Sequence, residues 1–330
     1  MSIAANHMGI LIISVVLGMA GAALILAIGK RSGLLDEPGQ RSSHQIPTPK
    51  GGGIGILAAF VVGCLWTGIA THIMILCGLV SFLGLLSDRM DIAPHRRLVI
   101  QILCAFGIMY FSADHTFGSI GLFWLTVMLG GIFIVGTANF YNFMDGINGI
   151  AGITAIVSYG LCGYYLFSVG YDSRYQLLIF CIVFSVVGFL PFNIPNARVF
   201  MGDVGSILLG FFYGVIAVLS STTTIDFICL SSFLFLFYAD ELTTMVVRLR
   251  DGESLLKAHR RHLYQILANE LGYRHWIVSG GYGLSQLVIG ITVLLVVPYG
   301  IAPLLGMLFL YACLFTFLTA WVRCLSIPSK

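Results

Sequence analysis

The chain has 330 residues, of which 58% are hydrophobic and only 9% charged. Soluble domains carry about 25% charged residues, so 17 Lys plus Arg and 14 Asp plus Glu are too few to cover a water-facing surface. With a mean hydropathy of +0.97, lipid is the expected solvent. A net charge of +3 is too small and diffuse for a nucleic-acid binder, and the composition excludes disorder, collagen and a disulfide scaffold. An integral membrane protein remains.

A membrane helix needs about 20 mainly apolar residues. Breaking the chain at charges, prolines and polar clusters predicts eleven spans, near 8–28, 53–70, 72–87, 98–113, 119–138, 150–169, 176–193, 206–222, 226–246, 276–297 and 301–322. The apolar runs are continuous and lack the alternation of a membrane barrel, so the fold class is all-α and polytopic, a single transmembrane domain over 1–330. The first run lacks a small-residue cleavage site and is expected to be a retained span. The eight cysteines lie in or beside apolar runs without CxxC spacing and read as small core hydrophobes.

Threading eleven spans back and forth puts Arg174 alone on one side and the other sixteen basic residues on the opposite side. By the positive-inside rule the basic side is cytoplasmic, which puts the amino terminus outside and the carboxy terminus in the cytoplasm. Eleven of the fourteen acids share the basic side, while mid-span positions are nearly free of charge. Transporters instead place ionisable groups near the midplane. The chemistry is therefore expected at one face, in loops near 29–53, 87–97, 139–149, 194–206 and 248–275.

In the first of these loops, Pro47, Pro49 and Gly51, Gly52, Gly53 prevent a regular helix and let backbone N–H groups approach a ligand. Lys50, Arg41 and His44 beside them favour an anion. The second loop, SDRMDIAPHRR, sets Asp88 and Asp91 among Arg89, Arg96 and Arg97, a mixture that could hold a metal-bound phosphate. In NFYNFMDGING, the residues Asn139, Asn142 and Asp145 recur at a spacing of three and share a helix face. Their hard oxygens suit Mg²⁺ or a nucleotide. Asp203, flanked by Gly202 and Gly205, is placed to stand at the amino terminus of the next helix, where it serves equally as an ordinary cap. The last loop carries His259, Arg260, Arg261 and His262, four donors suited to phosphates or to anionic headgroups.

Taken in order, PTPKGGGIGI, GLLSDRMDIAPHRRLVIQ, NFYNFMDGINGIAG, NARVFMGDVGS and AHRRHLYQ resemble the polyprenyl-phosphate N-acetylhexosamine-1-phosphate transferase family (glycosyltransferase family 4). The likeness runs over about residues 36–270, and the AHRRHLYQ ending is similar to the branch that initiates bacterial O-antigen or capsule chains. It implies a multi-pass enzyme of the bacterial inner membrane, its active site facing the cytoplasm and its amino terminus in the periplasm. Such an enzyme joins a UDP-N-acetylhexosamine to undecaprenyl phosphate, releases UMP, and uses Mg²⁺, with Mn²⁺ as an alternative; relatives suggest a homodimer.

On this resemblance Asp203 is the principal metal ligand and Asn142 the second. Asp88, Asp145, Asp203, His259 and His262 fall at catalytic positions. Lys50, Arg97, Asn148, Arg260 and Arg261 fall at substrate-binding positions, with Asn148 toward the uridine and Arg97 toward the diphosphate. Two departures stand out: Ser87 replaces the first of a usual aspartate pair, and Asn148 replaces a second aspartate found in many bacterial members. The absent aspartate matters little to nucleophile activation, because a phosphate monoester with a second pKa near ~6 is already mostly ionised. The rival expectation is a transporter or flippase for an anionic solute or lipid-linked sugar, using the basic loops as a docking surface.

Overall fold

The computed structural model describes residues 3–39, 43–90, 92–112, 120–254 and 260–326. Each stretch predicted as a span contains helix: α1 (Ile3–Ile28), α2 (Ile54–Thr67), α3 (Thr71–Met90), α4 (Pro94–Ser112), α5 (Ile120–Phe143), α6 (Ile150–Ser168), α7 (Ser173–Phe189), α8 (Asp203–Leu219), the pair α9 (Thr224–Ser232) and α10 (Phe235–Arg250), and, after a three-residue α11 (Leu263–Gln265), α12 (His275–Val296) and α13 (Ile301–Ser326). Among the described residues, seven helices are long and apolar enough to cross a membrane, and α2 and α8 are shorter apolar helices. The molecule is a polytopic helical membrane protein. Its outward faces carry Leu, Ile, Phe and Trp side chains such as Leu103, Trp124, Phe309 and Phe317, as lipid-facing surfaces do.

At the centre stands α8, whose residues Val204–Ala217 are all buried. A helix apolar on every side has no water-facing stripe and belongs inside. It packs against α5 and α3, while α1 packs against α7 and α2, and α12 against α6. Lipid supplies no hydrophobic drive between helices, so close backbone approach at small residues supplies the contact instead. A Cβ on Gly53 would lie 2.4 Å from the Gly205 Cα, and one on Gly21 would lie 2.3 Å from the Gly55 nitrogen. The glycine run therefore has a packing function as well as a loop function. Six cysteines are buried as expected, whereas Cys313 and Cys324 on α13 are exposed.

Two differences from the sequence expectation bear on the site. The stretch 226–246, predicted as one span, is broken at Phe233 and Leu234. Gln286 of α12 fills the gap, accepting from the Leu236 nitrogen and donating to the Ser232 carbonyl, each at 3.0 Å. Backbone groups freed inside a membrane protein need such a partner. The loop after α1 is also more ordered than its prolines suggest. Strand β1 (Leu35–Asp36) pairs antiparallel with β2 (Thr48–Pro49), matching Leu35 to Pro49 and Asp36 to Thr48. The chain just before α8 joins them: Phe200 donates to the Pro49 carbonyl at 2.8 Å, and Gly52 and Gly53 donate to Phe200 and Met201 at 2.9 Å.

Candidate active site

That stitching brings the glycine loop, the end of α3, the end of α5 and the start of α8 around one polar cavity of about 340 Å³. Its walls include Lys50, Asp88, Asn142, Asp145, Asn148 and Asp203. The helices alternate in sense. α3, α5, α7 and α10 end where α4, α6, α8 and α12 begin, so the cavity lies at one end of the bundle.

Asp203 is the first residue of α8, after Gly202 at φ +74°. The left-handed backbone there suits glycine, and a Cβ at 202 would also meet the Asp88 carboxylate at 2.5 Å. A carboxylate in the first turn complements the helix dipole. Asp203 Oδ1 accepts from Asn142 Nδ2 at 2.8 Å, and the same nitrogen donates to Ser206 Oγ at 2.9 Å. Asp203 Oδ2 accepts a short hydrogen bond from Arg97 Nη1, which also donates to Ser87 Oγ at 2.9 Å. Asn142 thus reaches Asp203 as a donor that orients the carboxylate, and a ligand role would fall to its other atom, Oδ1.

Asp88 is buried at the end of α3, with Oδ1 3.9 Å from Lys50 Nζ. Its Oδ2 has no hydrogen-bond partner among the described residues. Asp145 lies half-buried in the turn after α5. Burial, followed by the negative charges of Asp203 and Asp88, pushes its carboxyl well above the ordinary carboxylate range. Three carboxylates therefore share a small space with two basic side chains, Lys50 and Arg97. Among the described residues, no three of His, Cys, Asp or Glu stand close enough to enclose a metal ion. Asn148 donates to the Pro195 carbonyl at 3.3 Å and its backbone nitrogen to His275 Nδ1 at 3.4 Å.

The basic cluster is divided differently from the sequence expectation. His259 lies outside the described residues. Arg260, Arg261 and His262 do not line the cavity. Arg261 Nη1 sits 2.6 Å from both Asp251 and Glu253. His262 is turned inward, 98% buried, with Nδ1 3.5 Å from Asp240 and Nε2 3.4 Å from Glu241. Gln265, three residues on, reaches the cavity instead.

Sequence reasoning also passed over His275 and Asn193, both in the cavity wall. Asn193 accepts from the Gly149 nitrogen at 2.6 Å and donates to the Val199 carbonyl at 2.9 Å, which ties the loop before α6 to the loop before α8. The available signal was its place in the PFNIPN segment, a polar residue between two proline turns. Asp36 and His44, 3.7 Å apart, close another part of the wall, with the His44 ring edge-on to Phe200 at 4.8 Å.

A helical bundle with an acidic and basic cavity at one end defines an integral membrane protein with a charged cavity. Residues 70–221 match glycosyl transferase family 4, the stretch that supplies Asp88, Arg97, Asn142, Asp145 and Asp203. It is 34% identical over 202 residues to the phospho-N-acetylmuramoyl-pentapeptide-transferase of Lacticaseibacillus paracasei, covering 52% of this chain and 61% of that protein. It is 29% identical over 269 residues to the undecaprenyl-phosphate alpha-N-acetylglucosaminyl 1-phosphate transferase of Escherichia coli K12, covering 73% of this chain and 70% of the relative. The Yersinia pestis protein of the same name is 28% identical over 313 residues, covering 88% and 80%.

Proposed function

We propose that this protein transfers an N-acetylhexosamine-1-phosphate from a UDP-sugar to undecaprenyl phosphate. An oxygen of the lipid phosphate attacks the sugar-bearing phosphorus, the phosphoanhydride bond to UMP breaks, and undecaprenyl-diphosphate-sugar and UMP are formed. The observation that carries the reading is the Asp203 carboxylate, held between Arg97 and Asn142 at the mouth of a helix whose amino terminus favours anions.

Phosphoryl transfer asks a protein mainly for positioning and charge neutralisation. Lys50 and Arg97 supply positive charge to the two phosphates, with Arg97 set by Ser87 and Asp203. Asp88 orients Lys50. Asn148 and Asp145 order the nucleotide end. The donor set fits Mg²⁺: Mg²⁺ keeps several waters and binds one or two carboxylates together with substrate phosphates, and the partnerless Asp88 oxygen and the crowded carboxylates of the cavity favour a cation. Asp203 and Asn142, with Asp88 beside them, would hold it, and Mg²⁺ or Mn²⁺ would neutralise charge on the phosphates.

Cavity residues come from the helix ends that the positive-inside rule assigns to the cytoplasm. In the same reading the chain has eleven spans with its amino terminus periplasmic, lies in a bacterial inner membrane, and starts O-antigen or related surface polysaccharides. Assembly as a homodimer belongs to the same reading. The transporter rival lacks support: the cavity lies at one end of the bundle, and the relatives are named as transferases.

The test is transfer of radiolabel from UDP-N-acetylglucosamine and other UDP-N-acetylhexosamines into a solvent-extractable lipid, using purified protein, undecaprenyl phosphate and Mg²⁺. Label in lipid that depends on the acceptor supports the proposal. No transfer with any of the sugar nucleotides defeats it.

A further inference from the structure

The segment after α10 is anchored from below by one carboxylate. Asp240 of α10, fully buried, accepts the Leu263 backbone N–H at 2.9 Å and the Tyr282 hydroxyl at 2.6 Å, with His262 Nδ1 at 3.5 Å. A buried carboxylate is tolerable only when donors surround it. Here they come from α11 and α12, so the charge fixes where α11 starts. Arg323 of α13 donates to the Arg261 carbonyl at 2.7 Å and ties the same turn to a further helix.

From that fixed turn Tyr264, also fully buried, reaches back across 121 residues and donates its hydroxyl to the Phe143 carbonyl at 3.0 Å. Phe143 ends α5, where carbonyls lack partners within the helix. It follows Asn142 directly and precedes Asp145 by two residues. The hydroxyl also lies where a Cβ on Gly146 would stand, 2.2 Å away. The His262 ring stacks on Tyr264 with centroids 5.6 Å apart and planes 14° apart. The tyrosine thus holds the turn after α5 by a hydrogen bond at residue 143 and by contact at residue 146.

We propose that Tyr264 is a positioning residue for the reaction: it fixes the end of α5 so that Asn142 and Asp145 face the cavity, and Asp240 in turn fixes Tyr264. The proposal rests on the transferase reading, but the placement it describes can be measured without activity. Because small displacements of reacting groups cost large factors in rate, Tyr264→Phe, which keeps the ring and removes the donor, is expected to lower kcat about tenfold. KM for both substrates stays within about twofold, because the phosphate-binding side chains are untouched.

Gly146→Ala pushes on the same hydroxyl from the other side. Its loss is expected to be non-additive with that of Tyr264→Phe, as for groups acting through one contact. Hydrogen–deuterium exchange of the 140–149 peptide should rise in Tyr264→Phe while the melting temperature of the detergent-purified protein is retained. Unchanged exchange in Tyr264→Phe, or wild-type kcat in that variant, or multiplying losses in the double variant, overturns the positioning role. A wild-type protein that transfers no sugar phosphate defeats the transferase reading instead, and the exchange result still decides whether Tyr264 holds the turn.

Discussion

Asn142 and Asp203, 61 residues apart in sequence, are joined by a 2.8 Å hydrogen bond from the amide nitrogen of one to the carboxylate of the other. The bond links the end of α5 to the start of α8, and it lies in the wall of the cavity. Removing either partner should therefore be felt as chemistry rather than as folding. Asp203→Asn is expected to lower kcat by ~10²–10³, the usual loss when one charge-stabilising group is removed, with an unchanged melting temperature. Asn142→Ala should cost less, because Arg97 still holds Asp203. Steady-state UMP release alongside thermal melting checks both, and full activity in Asp203→Asn would remove that residue from the site.

Ser87 accepts from Arg97 at 2.9 Å, at the position where the family resemblance implies an aspartate. Ser87→Ala deletes one neutral acceptor and leaves the Asp203 contact, so a fall of about fivefold is expected, the value of one ordinary hydrogen bond. Ser87→Asp gives Arg97 a second carboxylate and should keep or raise activity at saturating Mg²⁺. A dead Ser87→Asp enzyme would mean that this site is built around serine.

The Asp145 carboxyl is raised by burial and by the charges of Asp203 and Asp88. A raised carboxyl pKa means that the folded state favours the neutral acid. Its stability contribution is present below the unfolded value near ~3.9 and is lost as pH rises toward the folded value. Without divalent cation, Asp145→Asn should therefore melt higher than wild type at pH 8, by a margin that shrinks as pH falls toward 4. A margin constant with pH would show that Asp145 is not held in that environment.

His262 sits between Asp240 and Glu241, away from the cavity wall. His262→Ala leaves two buried carboxylates without their imidazole and should destabilise the protein by ~3 kcal/mol, the scale for breaking a buried charged network. KM for the sugar nucleotide should stay within about twofold when measured well below the melting temperature. A large KM increase with unchanged stability would return His262 to the phosphate-gripping role that its sequence context suggests.

Much of this arrangement was legible in the sequence, because membrane solvation is a severe constraint. Long apolar runs must be helices, and the few charges must go where water is, so Lys50, Asp88, Asn142, Asp145, Asn148 and Asp203 could be gathered at one face before any coordinates. What could not be read depended on contacts distant in sequence. The break at Phe233 has neither proline nor glycine and persists because Gln286, on another helix, satisfies the freed groups. In HRRHLYQ the basic residues looked like ligands, but Asp240 and Glu241 draw His262 inward, and the next helical position, Gln265, faces the cavity.

Transfer of the sugar phosphate, rather than of the sugar alone, is decided by following the two phosphates of the donor separately. UDP-N-acetylhexosamine carrying ³²P at the sugar-bearing phosphate is incubated with purified protein, undecaprenyl phosphate and Mg²⁺. This label is expected to enter the lipid, with unlabelled UMP released in equal amount. Labelled UDP with an unlabelled glycolipid would contradict it, because the bond broken would then be the glycosidic one and the site would not carry out sugar-phosphate transfer.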